Sequence, residues 1–271
     1  MLVPMGTTRV LVGAALMLTA PACVFQNEDQ AILDVNANFA SAYVFRGQTM
    51  TEKAVFQPDA RASIPTVIAG NANFGAFANV DLTDEVGDAW FDPGHSGEAT
   101  EFDLIASYSR DVGPVTLEAG AQYYNWPNHA DFPFQPFDST TEAFARAGAK
   151  VLGVKPSVTA FYDVDEVPGA VYVRGEVNAE VKITKGWWFE PGVWLGWSDD
   201  EHSEWLYRKS TTGFSDAGAR LQVAHDLTPL TTLRVGVHAS TIVDETMRDW
   251  FVGAKPDPDV FWFTAGISFA F

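Results

Sequence analysis

Long apolar runs are missing from this 271-residue chain once its first two dozen residues are passed. A helical membrane protein needs about 20 consecutive apolar residues per span, so that class is excluded. Cysteine is nearly absent. Cys23 is the only one, so no disulfide within the chain can form. Basic residues are few: 17 Lys and Arg stand against 35 Asp and Glu, for a formal net charge of -18. A nucleic-acid partner needs a basic footprint and is excluded on that ground. Helix-period segments of useful length are also missing beyond the leader. No G-x-S-x-G or H-E-x-x-H motif occurs.

What is present is alternation. Apolar and polar residues exchange places every second position in one run after another. The first run is LDVNANFASAYVFRG, with Leu33, Val35, Ala37, Phe39 and Tyr43 on one face and Asp34, Asn36, Asn38 and Arg46 on the other. Further runs fall at about 55–64, 72–82, 101–109, 115–124, 142–151, 154–164, 171–183, 187–198, 214–224 and 232–241. The last, VFWFTAGISFAF, reaches Phe271. About twelve runs result, each near the 9–11 residues that a tilted transmembrane strand needs. The clearest is VYVRGEVNAEVKI, where Val171, Val173, Val177, Val181 and Ile183 oppose Tyr172, Arg174, Glu176, Asn178, Glu180 and Lys182.

The connections alternate too. Short ones are PTVIAGN, RDVGP, LG, TKG and DLTPL. Long ones cover about 83–100, 125–140, 199–213 and 242–259, and the outer connections near Thr49 and near Asp165 and Glu166 read as short exceptions. Short turns on one rim and long loops on the other characterise outer-membrane barrels. The expectation is an all-β, antiparallel, up-and-down transmembrane barrel with short periplasmic turns and longer extracellular loops. Aromatics make up 13% of the chain, enough for interfacial girdles. Trp187 and Trp197 share a face ten residues apart. At ~3.3 Å per residue and ~45° of tilt they would stand ~23 Å apart in height, one in each girdle. Phe269 and Phe271 join them as interfacial aromatics. An extended last strand ending on an aromatic resembles the signal read by the bacterial barrel-assembly machinery.

The leader reads as a signal peptide over residues 1–22: Arg9, an apolar run from Val10 to Leu18, and the small-x-small site Ala20-Pro21-Ala22. Residues 23–30 would form a short periplasmic segment and 31–271 the barrel. Two fates are open for Cys23, lipid attachment or removal.

The stretch SAYVFRGQTMTEKAVFQPDARASI resembles the opening of the TorF-like porins of Gram-negative bacteria, through Tyr43, Val44, Phe45, Arg46 and Gly47. FDLIASYSRDVGPVTLEAGAQYYNWP is similar to that family's acidic strand, turn and tyrosine-ended strand. Departures are Ala42, where the family often has an acid, and a long 83–99 loop. The resemblance implies an outer-membrane barrel whose first strand ends in the Tyr-Val-Phe-Arg-Gly motif.

Such a barrel would line its lumen with Arg46, Asp59, Arg61, Asp103, Glu118 and Arg146, and with Arg174, Glu176, Glu190, Asp216, Arg220 and Arg234. Unpaired ions in a dry interior would each cost several kcal/mol, so these groups either pair or meet water. The functional expectation is a channel for small hydrophilic solutes or ions in the outer-membrane lipid. Acidic loops with Asp84, Glu85, Asp88, Asp92 and Glu98 suggest a cation preference. The rival is an adhesive or structural barrel acting through Trp90, Trp126, Trp205 and Trp250, some of which could instead fold inward and constrict the pore. Catalysis is not expected: His238 and Ser240 are two strand positions apart, about 7 Å. No cofactor or metal is expected. The DDEHSE segment around His202 reads as a solvated loop.

Overall fold

A computed structural model of the chain describes residues 31–84, 90–91, 94, 96–127, 139–249 and 257–271. The signal peptide, residues 23–30, Glu85, Asp88, Asp92 and Trp250 lie outside the described residues.

The alternating runs become strands that close into a barrel of twelve. They are β1 (Ile32–Ala40), β4 (Val55–Thr66), β5 (Gly70–Asp81), β6 (Ala99–Val112), β7 (Val115–Asn125), β8 (Ser139–Ala149) and β9 (Val154–Asp163). Then come β10 (Val171–Ala179) with β11 (Val181–Thr184), β12 (Trp187–Ser198), β13 (Gly213–Thr228), β14 (Thr231–Ile242) and β15 (Asp259–Ala270). β10 and β11 are one barrel strand, because Val181 and Lys182 continue the register of β10 against β12 before it shifts at Thr184. A separate hairpin, β2 (Tyr43–Phe45) and β3 (Gln48–Thr51), pairs only with itself.

Closure comes from β1 pairing antiparallel with β15, with Asp34 opposite Ala270 and Ala40 opposite Thr264. The seam runs to the last residue: Phe271 N–H donates to the Leu33 carbonyl at 2.9 Å, and Leu33 N–H donates to the Phe271 carbonyl at 3.1 Å. In hydrocarbon every backbone polar group must be satisfied internally, and closing the sheet does this. The outer face is apolar along its whole circumference, with Phe74, Leu104, Leu117, Val158, Val177, Val193, Leu221, Val235, Phe261 and Phe263 all exposed. Among the described residues no second protein layer covers them. The barrel is therefore of the transmembrane, outer-membrane kind, with lipid against this face.

The short turns gather on one rim and the long loops on the other, the extracellular side by the rule for such barrels. Three elements occupy the long-loop end, the first two folded into the lumen and the third at the rim with Met247 reaching the buried cluster. One is the β2–β3 hairpin. The second is α1 (Asp200–Tyr207), capped by the Asp199 side chain accepting from His202 N–H. The third is α2 (Glu245–Arg248), capped by Asp244. The buried hydrophobic cluster of the molecule lies among them, with Tyr43, Met50, Trp126, Trp205, Leu206, Tyr207, Ile242 and Met247.

This corrects the sequence reading in three places. β1 stops at Ala40, so Tyr43 and Arg46 are not on the first strand and Tyr43 does not face lipid; it is buried inside. The connection holding Thr49 runs over 41–54 and is not a short exception. The segment around His202 is a buried helix and not a solvated loop. The physical reason is common to all three: a loop that folds into a lumen carries polar groups satisfied by the barrel wall, and no sequence period announces that.

The outer face generates a test. Val235 lies mid-strand on β14 and is 63% exposed. Val235→Arg should destabilise the barrel by about 2–4 kcal/mol in reversible urea unfolding from lipid vesicles. An unchanged unfolding midpoint would contradict a lipid-facing position.

Candidate functional site

The hairpin turn Phe45-Arg46-Gly47-Gln48 has two central residues at positive φ, +46° for Arg46 and +81° for Gly47. That is the two-residue turn whose twist suits a hairpin. Gly47 is needed twice over. A side chain is strained at this φ, and an added Cβ would stand 2.7 Å from both Asp216 Cβ and Ile242 Cδ1.

The turn drives Arg46 into the barrel wall. Its Nη1 and Nη2 donate to Glu142 Oε1 and Oε2 at 2.8 and 2.5 Å, a two-pronged pair buried on both sides. Nη1 also donates to His202 Nε2 at 2.7 Å, and Nη2 to the Tyr124 hydroxyl at 3.3 Å. The guanidinium carbon lies 4.4 Å from the Tyr172 ring centroid, 4.9 Å from Phe45 and Phe161, and 5.9 Å from Tyr124. Ring faces attract a desolvated cation, adding to the ion pair.

Arginine only donates, so His202 must accept through Nε2 and is neutral. Burial first, and the Arg46 charge second, hold its imidazole well below the usual range. Further bonds lock the hairpin. Tyr43 donates to Glu101, Thr51 Oγ1 to Asp81 at 3.2 Å, and Gln48 Nε2 to the Leu206 carbonyl at 2.8 Å. The Tyr207 hydroxyl donates to the Arg46 carbonyl at 2.7 Å. Gly196 makes room for the adjacent Tyr172–Asp216 bond: a Cβ there would lie 2.1 Å from Asp216 Oδ1.

The twelve residues expected in the lumen thus divide. Arg46 caps the hairpin. Asp103 and Asp216 lie sealed beneath the plug, accepting from Gln122 at 3.0 Å and from Tyr172 at 2.9 Å. The other nine sit nearer the waist and the short-turn end. Arg61 pairs with Glu118, Arg174 with Glu176 at 3.2 Å, and Arg234 with Glu190 at 3.1 Å. Asp59 accepts from Asn36 at 2.8 Å. Arg220 donates to Asn178 at 2.7 Å and Arg146 to Ser157 at 3.4 Å, both neutral partners. Arg61 points inward from β4 to Glu118 on β7, yet its side chain is 42% exposed, so there is room for water below the plug.

Of the four tryptophans considered for adhesion, Trp90, Trp126 and Trp205 are buried. Trp126 stacks on Tyr124 at 5.6 Å and meets Trp205 at 6.0 Å. Trp187 is exposed near the turn at Gly186, with its ring 4.2 Å from that of His225. Trp197, at the opposite end of β12, pairs in register with Phe214. Phe269 and Phe271 lie 6.5 Å apart near the short-turn rim. His238 Nε2 lies 2.9 Å from Thr264 Oγ1, while Ser240 Oγ donates to the Ala217 carbonyl. Sequence reasoning did not assemble Tyr124, Tyr172, His202 and Tyr207 with Arg46. Two local signals pointed that way: the Arg-Gly turn and the acidic start at Asp199 to Glu201, which caps a helix.

Glu142→Gln leaves the guanidinium buried without its carboxylate, at a cost to plug docking of about 3–5 kcal/mol. Tryptophan emission should shift to the red as Trp126 and Trp205 hydrate, while the barrel keeps its mobility in unheated detergent gels. Protonation acts in the same direction. Released from the plug, His202 titrates near 6.5; docked, it stays neutral. Its contribution to docking is complete above about pH 6.5 and declines as pH falls below that. The same emission shift is expected on acidification from pH 7.5 to 5, and His202→Gln should shrink it.

No protein-family model matches the chain, and no curated protein matches it. Its fold is similar to solved outer-membrane barrels. One is the porin NanC, 10% identical over 88% of this chain and 98% of that one, with a TM-score of 0.50. Another is the COG4313 outer membrane channel from Pseudomonas putida F1, 10% identical over 89% and 95%, with a TM-score of 0.50. At this identity the likeness is one of fold.

Proposed function

We propose that the chain is a porin-like channel for passive diffusion of small hydrophilic solutes or ions across the bacterial outer membrane. The arrangement described here would be its closed state. The observation that carries the reading is the charged waist: the Arg61 side chain is 42% exposed, and Arg146 and Arg220 face the lumen beside Ser157, Asn178 and the Glu176 carboxylate. Charges so placed are costly in a dry plugged cylinder and useful in a conducting one. The fold shared with NanC and the Pseudomonas putida channel supports the same class of function, as does the resemblance to the TorF-like porins.

The nine other residues line the open path in this reading, and Trp187, Trp197, Phe269 and Phe271 mark the interfaces. Selectivity follows from the lumen's asymmetry. Asp81, Glu101, Asp103, Glu142, Asp163 and Asp216 ring the long-loop end, with Arg46 delivered among them by the hairpin. Withdrawal of the hairpin exposes an acidic mouth, which favours cations. The C-terminal strand would be recognised by the barrel-assembly machinery.

Replacing residues 43–51 by a flexible Gly-Ser linker should raise single-channel conductance in planar bilayers several-fold over wild type. Reversal potentials under a salt gradient should show a modest cation preference. A barrel that stays silent after the replacement would refute the channel, and clear anion selectivity would refute the preference.

A further inference from the structure

The contacts around Arg46 have an unusual ownership. Apart from Phe45, which belongs to the same hairpin, the groups that hold the guanidinium come from elsewhere. Tyr124 is on β7, Glu142 on β8, Phe161 on β9 and Tyr172 on β10, four strands that neighbour one another in the wall. His202 comes from α1. The hairpin supplies the occupant, and the wall supplies the site. If the hairpin swings out, three aromatic rings and a buried carboxylate stay on the rigid sheet.

We propose that this cage is a binding site for small guanidinium compounds, filled in the closed barrel by the chain's own arginine. Its chemistry fits that class better than a simple ammonium. Glu142 meets two nitrogens at once, at 2.8 and 2.5 Å, which a planar fork satisfies and a point charge does not. The rings of Tyr172 and Phe161 lie at stacking range of the same plane. His202, neutral, accepts one more N–H and adds no repulsion. A guanidinium solute arriving from the long-loop side would compete with Arg46 for the cage, so binding and opening would be linked. Access to the cage rests on the channel reading; the cage itself does not.

Arg46→Ala empties the site. The refolded variant in detergent, titrated calorimetrically with methylguanidinium chloride at constant ionic strength, should bind it with a Kd in the millimolar range or tighter, fitting a ligand of so few atoms. Affinity for methylammonium should be at least about tenfold weaker. Wild type, with the cage filled, should show no measurable binding, and Arg46→Ala/Glu142→Gln should lose at least about tenfold. Equal affinity for the two cations, or none for either, would overturn the proposal. Should Arg46→Ala fail to refold alone, methylguanidinium present during refolding should restore the barrel; no restoration counts against the cage. A variant that binds methylguanidinium but never conducts removes the channel and leaves the site. A conducting variant indifferent to methylguanidinium removes the site and leaves the channel.

Discussion

A β-strand in hydrocarbon cannot leave its backbone N–H and C=O groups unpaired, and the rest of this molecule is arranged around that constraint. Twelve strands are joined in sequence by hairpin pairings, and the one non-local pairing, β1 with β15, turns an open sheet into a cylinder. Once the cylinder is closed, the pleat settles the rest. Alternate residues must face lipid or lumen, which is why Phe261 and Phe263 lie outside while Trp262 stacks on His238 within.

Closure creates a second problem at the lumen's long-loop end. Six buried carboxylates there would repel one another in a dry space. The hairpin answers with a cation and a set of donors. Arg46 pairs with Glu142, Tyr43 donates to Glu101, and Thr51 to Asp81. α1 packs behind, giving His202 and Tyr207 to the hairpin's turn. The plug is thus held by polar bonds, by the Arg46–Glu142 ion pair and by the buried cluster of Tyr43, Met50, Trp205, Leu206 and Tyr207.

The wall was legible in the sequence because the pleat writes itself as a period of two. The strand from Trp187 to Ser198 was located to the residue, and the strands near 115–124 and 171–183 to within one or two. The short turns and long loops sorted themselves onto two rims for the same reason. The plug was not legible. Tyr43 continued the alternation of Phe39 in sequence, but the pattern cannot tell a strand that goes on from a loop that folds back. Trp126 and Trp205 could be read as surface aromatics or as rings folded inward, and the sequence alone did not choose between them, although both are buried. Their burial depends on contacts with residues about eighty positions apart, Trp126 with Trp205 and Arg46 with Tyr124, and no local rule reports those.

The whole cylinder hangs on the sealed seam between the first and last strands. Hydrogen exchange of the backbone amides in lipid bilayers tests it most directly. The amides of Val35, Ala37, Ile267 and Phe269, whose N–H groups point across the seam, should exchange as slowly as those of interior neighbours such as Ser107 and Gly120. Fast exchange confined to these two strands would mean an open edge, and the cylinder, its plug and its channel would go with it.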